Sequence, residues 1–576
     1  GDEAVTVARQ ALALQPAPAL RRVAWTVIAH QAFDAGKFAD AEQGYAEVLA
    51  LVGERDAARA DFVERQAAAI YKQGEAARSA GQARDAVGHF ARIAALALPA
   101  GSAVRATAQF DAAAALIGLK DWAAAASALE AFRREHPNHA LQAELPSRLA
   151  LAYLELDRKA LAAAEFEKVA AVATDPALAR GALWQAAELY HAVAEQAGPV
   201  SVAVAAPARA APAANTAAAR RNRQVAAAPA APQPATPHAT AMRAWDQYLQ
   251  RFPQPLEPAV EARWKQVALS RLAGPADAAR LTELLQAVMR ADAGGGDART
   301  ARTRTLGGQA ALALVEPQLA AYRQVRLVEP LARNLKLKKT RMEQVLQAYA
   351  GAAEVGVAEV TTAATFHSAA LYQDFGRALM DSERPKKLSK AEREQYDVML
   401  EEQAFPFEEK AIELFEANAR RSAQGLYDDW VKQSFAALAK LKPVRWGKAE
   451  RLDERLPTEL KQVQAVLERA PNDAALLNQL GVAQRRAGDL AAARSAYEAA
   501  IQADANAAAP HLNLAILLDL YLGEPEKAAA LYQRTLELSP GDAPVLNRWL
   551  AEIRARKPVV AEAARSAQMA SKESPR

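Results

Sequence analysis

Residues 474–540 read AALLNQLGVAQRRAGDLAAARSAYEAAIQADANAAAPHLNLAILLDLYLGEPEKAAALYQRTLELSP, and this stretch decides the architecture. Leu477, Leu480 and Gly481 fall on one helix, Gly488 marks a turn, and Ala493, Tyr497 and Ala500 fall on a second helix. The scheme then repeats with Leu514 and Ala515, Gly523 in a turn one residue longer, Ala528, Tyr532 and Pro540. Ala493 to Ala528 is a period of 35 residues. Each unit predicts a helical hairpin in which alanine or glycine stands where the two helices touch, a tyrosine fills the gap, and proline ends the second helix. Such a hairpin cannot bury its apolar face alone and must stack on a neighbour.

The whole chain has the composition that stacking needs. Of 576 residues, 51% are hydrophobic but only 6% aromatic, with alanine the commonest apolar type. Large buried area must therefore come from small side chains on closely approaching backbones, which points to helix on helix. Lys and Arg number 71 against 67 Asp and Glu, a formal charge of +4. That balance does not describe a general polyanion binder. With no cysteine there is no disulfide, thiolate metal site or cysteine nucleophile. No run of 18 apolar residues is present, so no transmembrane segment is expected, and the opening Gly1-Asp2-Glu3 lacks the basic and apolar regions of a signal peptide.

On the residues quoted, the C-terminal units resemble the tetratricopeptide repeat family, which implies an all-α superhelix, or solenoid. The N-terminal 190 residues carry the same grammar more loosely. A first unit has Trp25, Ile28, Ala29, Gly36, Ala41 and Tyr45, and a second has Ile70, Gly74, Ala77, Gly81, Ala86 and Phe90. A third ends with Ala125, Leu129, Phe132 and Pro137, and a fourth has Leu149, Ala150, Tyr153, Ala162 and Phe166. The small residue of the second helix recurs at 41, 86, 125 and 162, spacings that predict some longer helices.

A fifth unit is interrupted. Its first helix reads at Leu183, Trp184, Ala187 and Tyr190, its second only at Ala241, Trp245, Tyr248 and Pro253. Between them lie seven prolines from Pro199 to Pro237, many alanines, Arg209, Arg220, Arg221 and Arg223, and no acid between Glu195 and Asp246. This composition predicts a disordered loop over 195–240 that, as a coil, spans roughly 35–40 Å. An insertion at an exposed hairpin tip and a basic tether to peptidoglycan, lipid headgroups or an acidic partner are both compatible with it.

The middle region keeps helical periodicity and loses the repeat signature. Gly294-Gly295-Gly296 predicts a break, and amphipathic stretches run from Leu312 to about Leu335 and from Met342 to Leu379. Pro317 and Pro330 either start helices or kink one. Phe405 to Trp446 predicts a helical hairpin with Ile412 and Phe415 on one face, Gly425 at the turn, and Trp430, Val431, Phe435 and Leu438 on the next. Asp428 and Asp429 open that second helix, where an acid favours the positive dipole end. The strings Glu408-Glu409-Lys410-Ala411-Ile412-Glu413 to Asn418, Gly425-Leu426-Tyr427-Asp428-Asp429-Trp430-Val431, and Leu441-Lys442-Pro443-Val444-Arg445-Trp446 resemble large bacterial envelope repeat proteins of Tol-like, Ton-like and gliding-motility systems. That resemblance implies a periplasmic scaffold; a cytoplasmic location is the alternative.

No catalytic or cofactor motif stands out. Only His136 and His139 are neighbours, and Pro137 between them removes the helical geometry of a metal pair, so both read as exposed turn residues. His367, on an alanine-rich helix, reads as packed. H-E-x-x-H, Walker A and G-x-S-x-G motifs are absent. Lytic transglycosylases also carry helical superhelices, but their Glu-Ser and Gly-Leu-Met-Gln motifs have no counterpart here, so a peptidoglycan-acting enzyme is the minority reading. Arg333, Lys336, Lys338, Lys339 and Arg341, and Arg384, Lys386 and Lys387, form basic clusters without interleaved aromatics. They read as solvated faces or contacts for an acidic protein, not as nucleic-acid sites.

Tetratricopeptide grooves imply binding of peptides or partner helices along the first-helix face. Asn478, Arg485, Asn513 and Asn547 fall there and are the candidate partner-binding residues. The three asparagines, 35 and 34 residues apart, can form a ladder, since each amide both donates and accepts toward a peptide backbone. The expected division is an N-terminal array over 1–194, the loop over 195–240, a helical middle over 241–450, C-terminal units with a capping helix over 451–557, and a polar tail over 558–576. The function expected is a non-enzymatic protein–protein interaction scaffold without metal or cofactor, in an envelope machine, with polysaccharide export as the alternative setting.

Overall fold

The computed structural model describes residues 1–99, 101–199, 236–274 and 277–556. Most of the expected loop over 195–240 and the tail over 558–576 lie outside the described residues. Among those described there is no strand, and the chain divides into two compact units, Gly1–Leu284 and Leu285–Arg576.

The first unit is a run of antiparallel hairpins. Its helices are α1 (Asp2–Ala13), α2 (Pro18–Asp34), α3 (Phe38–Leu51), α4 (Arg59–Ser79), α5 (Ala83–Ala94), α6 (Ala103–Gly118), α7 (Trp122–Glu135), α8 (Leu145–Glu155), α9 (Lys159–Val172), α10 (Pro176–Ala197), α11 (Pro237–Arg251) and α12 (Leu256–Ala273). Each packs chiefly on its chain neighbour. Alanines make the crossings: Ala29, Ala41, Ala86, Ala125 and Ala162 are all fully buried. Gly74 shows why small residues are needed, because a Cβ built there would lie 2.5 Å from Phe90 Cε1. The longer spacing between the first and second units comes from α4, which runs for 21 residues. Helices α10 and α11 pair across the insertion, and Trp184, Trp245 and Tyr248 interlock edge to face at 5.0–6.2 Å.

Helix α13 (Ala278–Ala293) contains the boundary between the units. The second unit continues with α14 (Ala301–Ala313), α15 (Glu316–Gln324), α16 (Leu331–Ala353), α17 (Ala358–Met380), α18 (Lys390–Arg420), α19 (Asp429–Leu441), the single turn α20 (Pro443–Trp446), α21 (Leu460–Leu467), α22 (Ala474–Ala487), α23 (Leu490–Ala503), α24 (Ala508–Ile516), α25 (Pro525–Leu538) and α26 (Ala543–Ala555). Pro317 sits in the first turn of α15, and Pro330 immediately precedes α16, so both prolines start helices. The amphipathic stretch from Met342 to Leu379 is two helices, not one. Gly356, at φ +75°, reverses the chain between α16 and α17.

The hairpin expected around Gly425 is formed by α18, 31 residues long with Pro406 inside, and α19. Asp428 caps α19, accepting from the Val431 amide at 2.9 Å. In the C-terminal repeats Asp473 and Asp489 cap α22 and α23 in the same way, each at 2.9 Å. The extra residue of the Gly523 turn is taken up in a π-helical turn, Leu517–Tyr521, that continues α24.

Two expectations for polar side chains need correction. His136 and His139 are not exposed turn residues: both are half-buried against Phe132, with ring centroids at 5.0 and 5.5 Å, and His136 pairs with Gln109 at 2.7 Å. Lys338 is not part of a solvated basic face. Its ammonium lies over the Tyr322 ring at 4.0 Å and caps the end of α15 through the Val325 carbonyl at 3.1 Å. Burial lowers its pKa.

Candidate functional site: a filled groove in the C-terminal repeats

Stacking the hairpins α22–α23 and α24–α25 on α26 sets the first helices side by side. Gly481 on α22 is tied to this arrangement, because a Cβ there would occupy the Tyr497 ring. With the glycine, Tyr497 sits fully buried beneath α22 and its hydroxyl reaches the groove. The groove is filled by the chain itself. After α20 the residues 447–459 are non-helical, and they run to α21 as a strap across α22, α24 and α26.

The strap is held first by its backbone. Asn513 accepts the Arg451 N–H on its Oδ1 at 2.7 Å and donates from Nδ2 to the Arg451 carbonyl at 2.8 Å. Asn478 donates to the same carbonyl at 3.1 Å and accepts from Asn513 Nδ2 at 2.9 Å. One amide thus mimics the hydrogen bonding of a neighbouring strand, and the second fixes its orientation. Asn513 is fully buried and Asn478 is 3% exposed.

Side chains of the strap are read separately. Lys448, its side chain wholly buried, inserts against Asp519, which is equally buried, with Glu552 at 3.6 Å. Arg556 balances the acids, meeting Asp519 at 2.6 Å. The ammonium also lies 5.2 Å and 5.5 Å from the Tyr532 and Trp549 ring centroids. Burial lowers the Lys448 pKa, and Asp519 opposes that shift. Two residues on, Glu450 receives Arg485 through Nε at 3.0 Å and Tyr497 through its hydroxyl at 2.9 Å. Burial alone would lower the Arg485 pKa, but the bond to Glu450 raises it overall. Arg451 itself turns outward to Asp542 at 2.8 Å.

Of the candidate partner-binding residues, Asn478, Arg485 and Asn513 therefore converge on two adjacent strap residues, Glu450 and Arg451, and the peptide backbone held there belongs to this chain. Asn547 is exposed and lies outside the network. The expected boundary between 450 and 451 falls inside the strap. Lys448, Glu450 and Asp519 were missed from sequence. Asp519 carried a readable signal, being the single acid in the apolar run ILLDLYL, whereas Lys448 and Glu450 are ordinary charges between helices.

Among the described residues no cluster of three or more His, Cys, Asp or Glu stands ready to hold a metal, and no helix is long and apolar enough to cross a membrane.

The tetratricopeptide repeat family model matches residues 107–139, which span most of α6 and all of α7. No curated protein sequence matches the chain. Solved structures align over much of its length at low identity. A structure of Naa15/Naa10 bound to HypK-THB shares 13% identity with a TM-score of 0.28, covering 91% of this chain and 64% of that one. This chain therefore spans less than two thirds of that protein's length. The APC/C hetero-tetramer Cut9-Hcn1 shares 13% identity with a TM-score of 0.19, covering 92% and 96%. A human IFIT1 dimer with PPP-AAAA shares 14% identity with a TM-score of 0.20, covering 87% and 86%. Similarity at that level does not bear on function; what the family match and the helix pairing support is an all-α chain carrying tetratricopeptide-type repeats.

Proposed function

We propose that this chain is a non-enzymatic scaffold that binds other proteins through the first-helix faces of its repeats, as a component of a bacterial cell-envelope assembly on the periplasmic side. The observation that carries the binding reading is the clamp on Arg451. Asn513 and Asn478 hold a non-helical peptide backbone by both its N–H and its carbonyl, which is how a repeat groove grips an unwound segment whatever its side chains. The envelope setting is supported by the resemblance of residues 408–446 to repeat proteins of Tol-like, Ton-like and gliding-motility systems. Those residues build the α18–α19 hairpin and α20, which leads directly into the strap.

The test is crosslinking of the tagged chain in its native cells, with mass-spectrometric identification of the linked residues and osmotic-shock fractionation in parallel. Discrete envelope proteins linked to the repeat faces, in the periplasmic fraction, are expected. Recovery in the cytoplasmic fraction overturns the envelope setting. An absence of linked proteins overturns the scaffold, and release of soluble muropeptides from purified peptidoglycan overturns the non-enzymatic assignment. Linked polysaccharide-export proteins would move the scaffold to that setting.

A further inference from the structure

The contacts that hold the strap have a pattern that a structural filler does not need. The buried Asp519 and the half-buried Glu552 take a cation, an arginine and a tyrosine take a carboxylate two residues later, and two asparagines take the next peptide unit without regard to its side chain. The subsites draw on α22, α23, α24, α26 and the π-helical turn, with α22 serving two of them through Arg485 and Asn478, and the walls are joined to one another by their own apolar core. Val482, Leu490, Ala493, Tyr497, Leu514 and Tyr532 belong to one buried cluster, whereas the strap gives that cluster only the half-buried Leu452. Beyond Leu452 the strap leaves the groove: Asp453 and Arg455 pair with each other in a local turn, and the Arg455 side chain is 87% exposed. A cleft of about 610 Å³ lies between strap residues Arg451–Arg455 and the walls Ala474, Asn478, Ala507 and Pro510.

We infer that this groove is a binding site for a segment of a partner protein carrying a lysine, one spacer residue and a glutamate, and that residues 447–452 are its resident competitor. The inference rests on the scaffold reading above and adds the chemistry of the ligand. Charge complementarity selects the occupant. With Lys448 withdrawn, the wholly buried Asp519 keeps Arg556, which it shares with Glu552, while Glu552 also has Arg445 at 3.9 Å, so the site loses the one cation buried as deeply as Asp519. With Glu450 withdrawn, Arg485 loses its carboxylate. A segment must therefore supply both charges at that spacing to replace the strap. The strap is covalently tethered, so it competes at an effective concentration on the order of millimolar. The intact chain is thus a weak acceptor for free segments, and the cleft alongside gives an incoming one a place to dock before exchange.

The experiment uses the full chain and a fluorescein-labelled peptide of sequence GKAERLDERL, residues 447–456. Anisotropy titrations compare the native chain with a variant carrying Lys448→Ala and Glu450→Ala together. The disarmed chain is expected to bind the peptide at least about tenfold more tightly than the native chain, because the tethered competitor is removed. A peptide with its lysine and glutamate exchanged is expected not to bind. Equal affinity for the two chains, no binding by the folded disarmed chain, or equal binding of the exchanged peptide each overturns the inference. Should the variant fail to fold, hydrogen exchange of the native chain decides. The Arg451 amide must exchange by a local opening more frequent than that of the interior amides of α22 and α24. Exchange only in step with those amides means the strap is integral and the inference is wrong. Partners crosslinked at other repeat faces would leave the scaffold reading standing while this one falls.

Discussion

Asn513→Ala isolates the backbone clamp. The substitution removes the acceptor of the Arg451 N–H and one of the two donors to the Arg451 carbonyl, and leaves Asn478 Oδ1 without its donor. The Arg451 carbonyl keeps Asn478. Two polar atoms in a buried setting are therefore orphaned, at about 1–3 kcal/mol each, with some recovery as water enters the vacated volume, so a loss of about 2–4 kcal/mol is expected. Asn547→Ala, on an exposed residue of the same spacing, is expected to change stability by less than about 0.5 kcal/mol. Asn513→Asp tests the direction of the bonds: its carboxylate still accepts from the Arg451 N–H but sets lone pairs against the carbonyl, so it should be at least as damaging as alanine. Urea unfolding of the three variants, followed by circular dichroism, measures the differences. An Asn513→Ala loss no larger than that of Asn547→Ala would mean that the clamp holds nothing in solution, and the account of the groove would have to be abandoned.

Three further outcomes test the packing. Gly74→Ala should cost about 1–3 kcal/mol, because its Cβ meets Phe90, whereas Gly88→Ala, with nothing within 4 Å, should stabilise by about 0.5–1 kcal/mol; thermal melts that rank them otherwise contradict the crossing geometry. Trp245→Ala, which removes a fully buried ring packed against both Trp184 and Tyr248, should cost about 3–5 kcal/mol in denaturant unfolding if α11 pairs with α10 across the insertion. Burial would raise the Glu165 pKa, but hydrogen bonds from Arg133 and Lys168 hold it below its usual 4.5. The native state thus binds the proton less readily than the unfolded chain. The stability it contributes is complete above about pH 4.5 and is lost as the pH falls through the depressed native value. Glu165→Gln should flatten that acid limb, and an unchanged profile would remove the ion pair from the account.

The repeat geometry was legible because small residues at helix crossings have few alternatives. Ala493 with Tyr497, and Ala528 with Tyr532, specify contact and plug together, and Gly481 has no substitute beneath Tyr497. The irregular middle was harder to read. The split between α16 and α17 depends on one glycine, Gly356, inside a stretch whose apolar spacing continues on either side. Asn478 and Asn513 were identified through their spacing, yet their occupant was not, because the strap has no periodicity and its charges look like those of any linker. Lys338 was misread for a related reason: a basic run gives no sign of which member folds inward onto Tyr322 and the end of α15.

Stacked hairpins communicate only with their immediate neighbours, so an array of them ordinarily unravels from its ends one unit at a time. The strap changes that for the C-terminal repeats. Arg451 reaches Asn478, Asn513 and Asp542 across separations of 27, 62 and 91 residues, so its bonds exist only while three successive first helices are in place together. Fraying of any one of them forfeits contacts made to the others. A short non-helical stretch thereby couples three hairpins at once for as long as it occupies the groove.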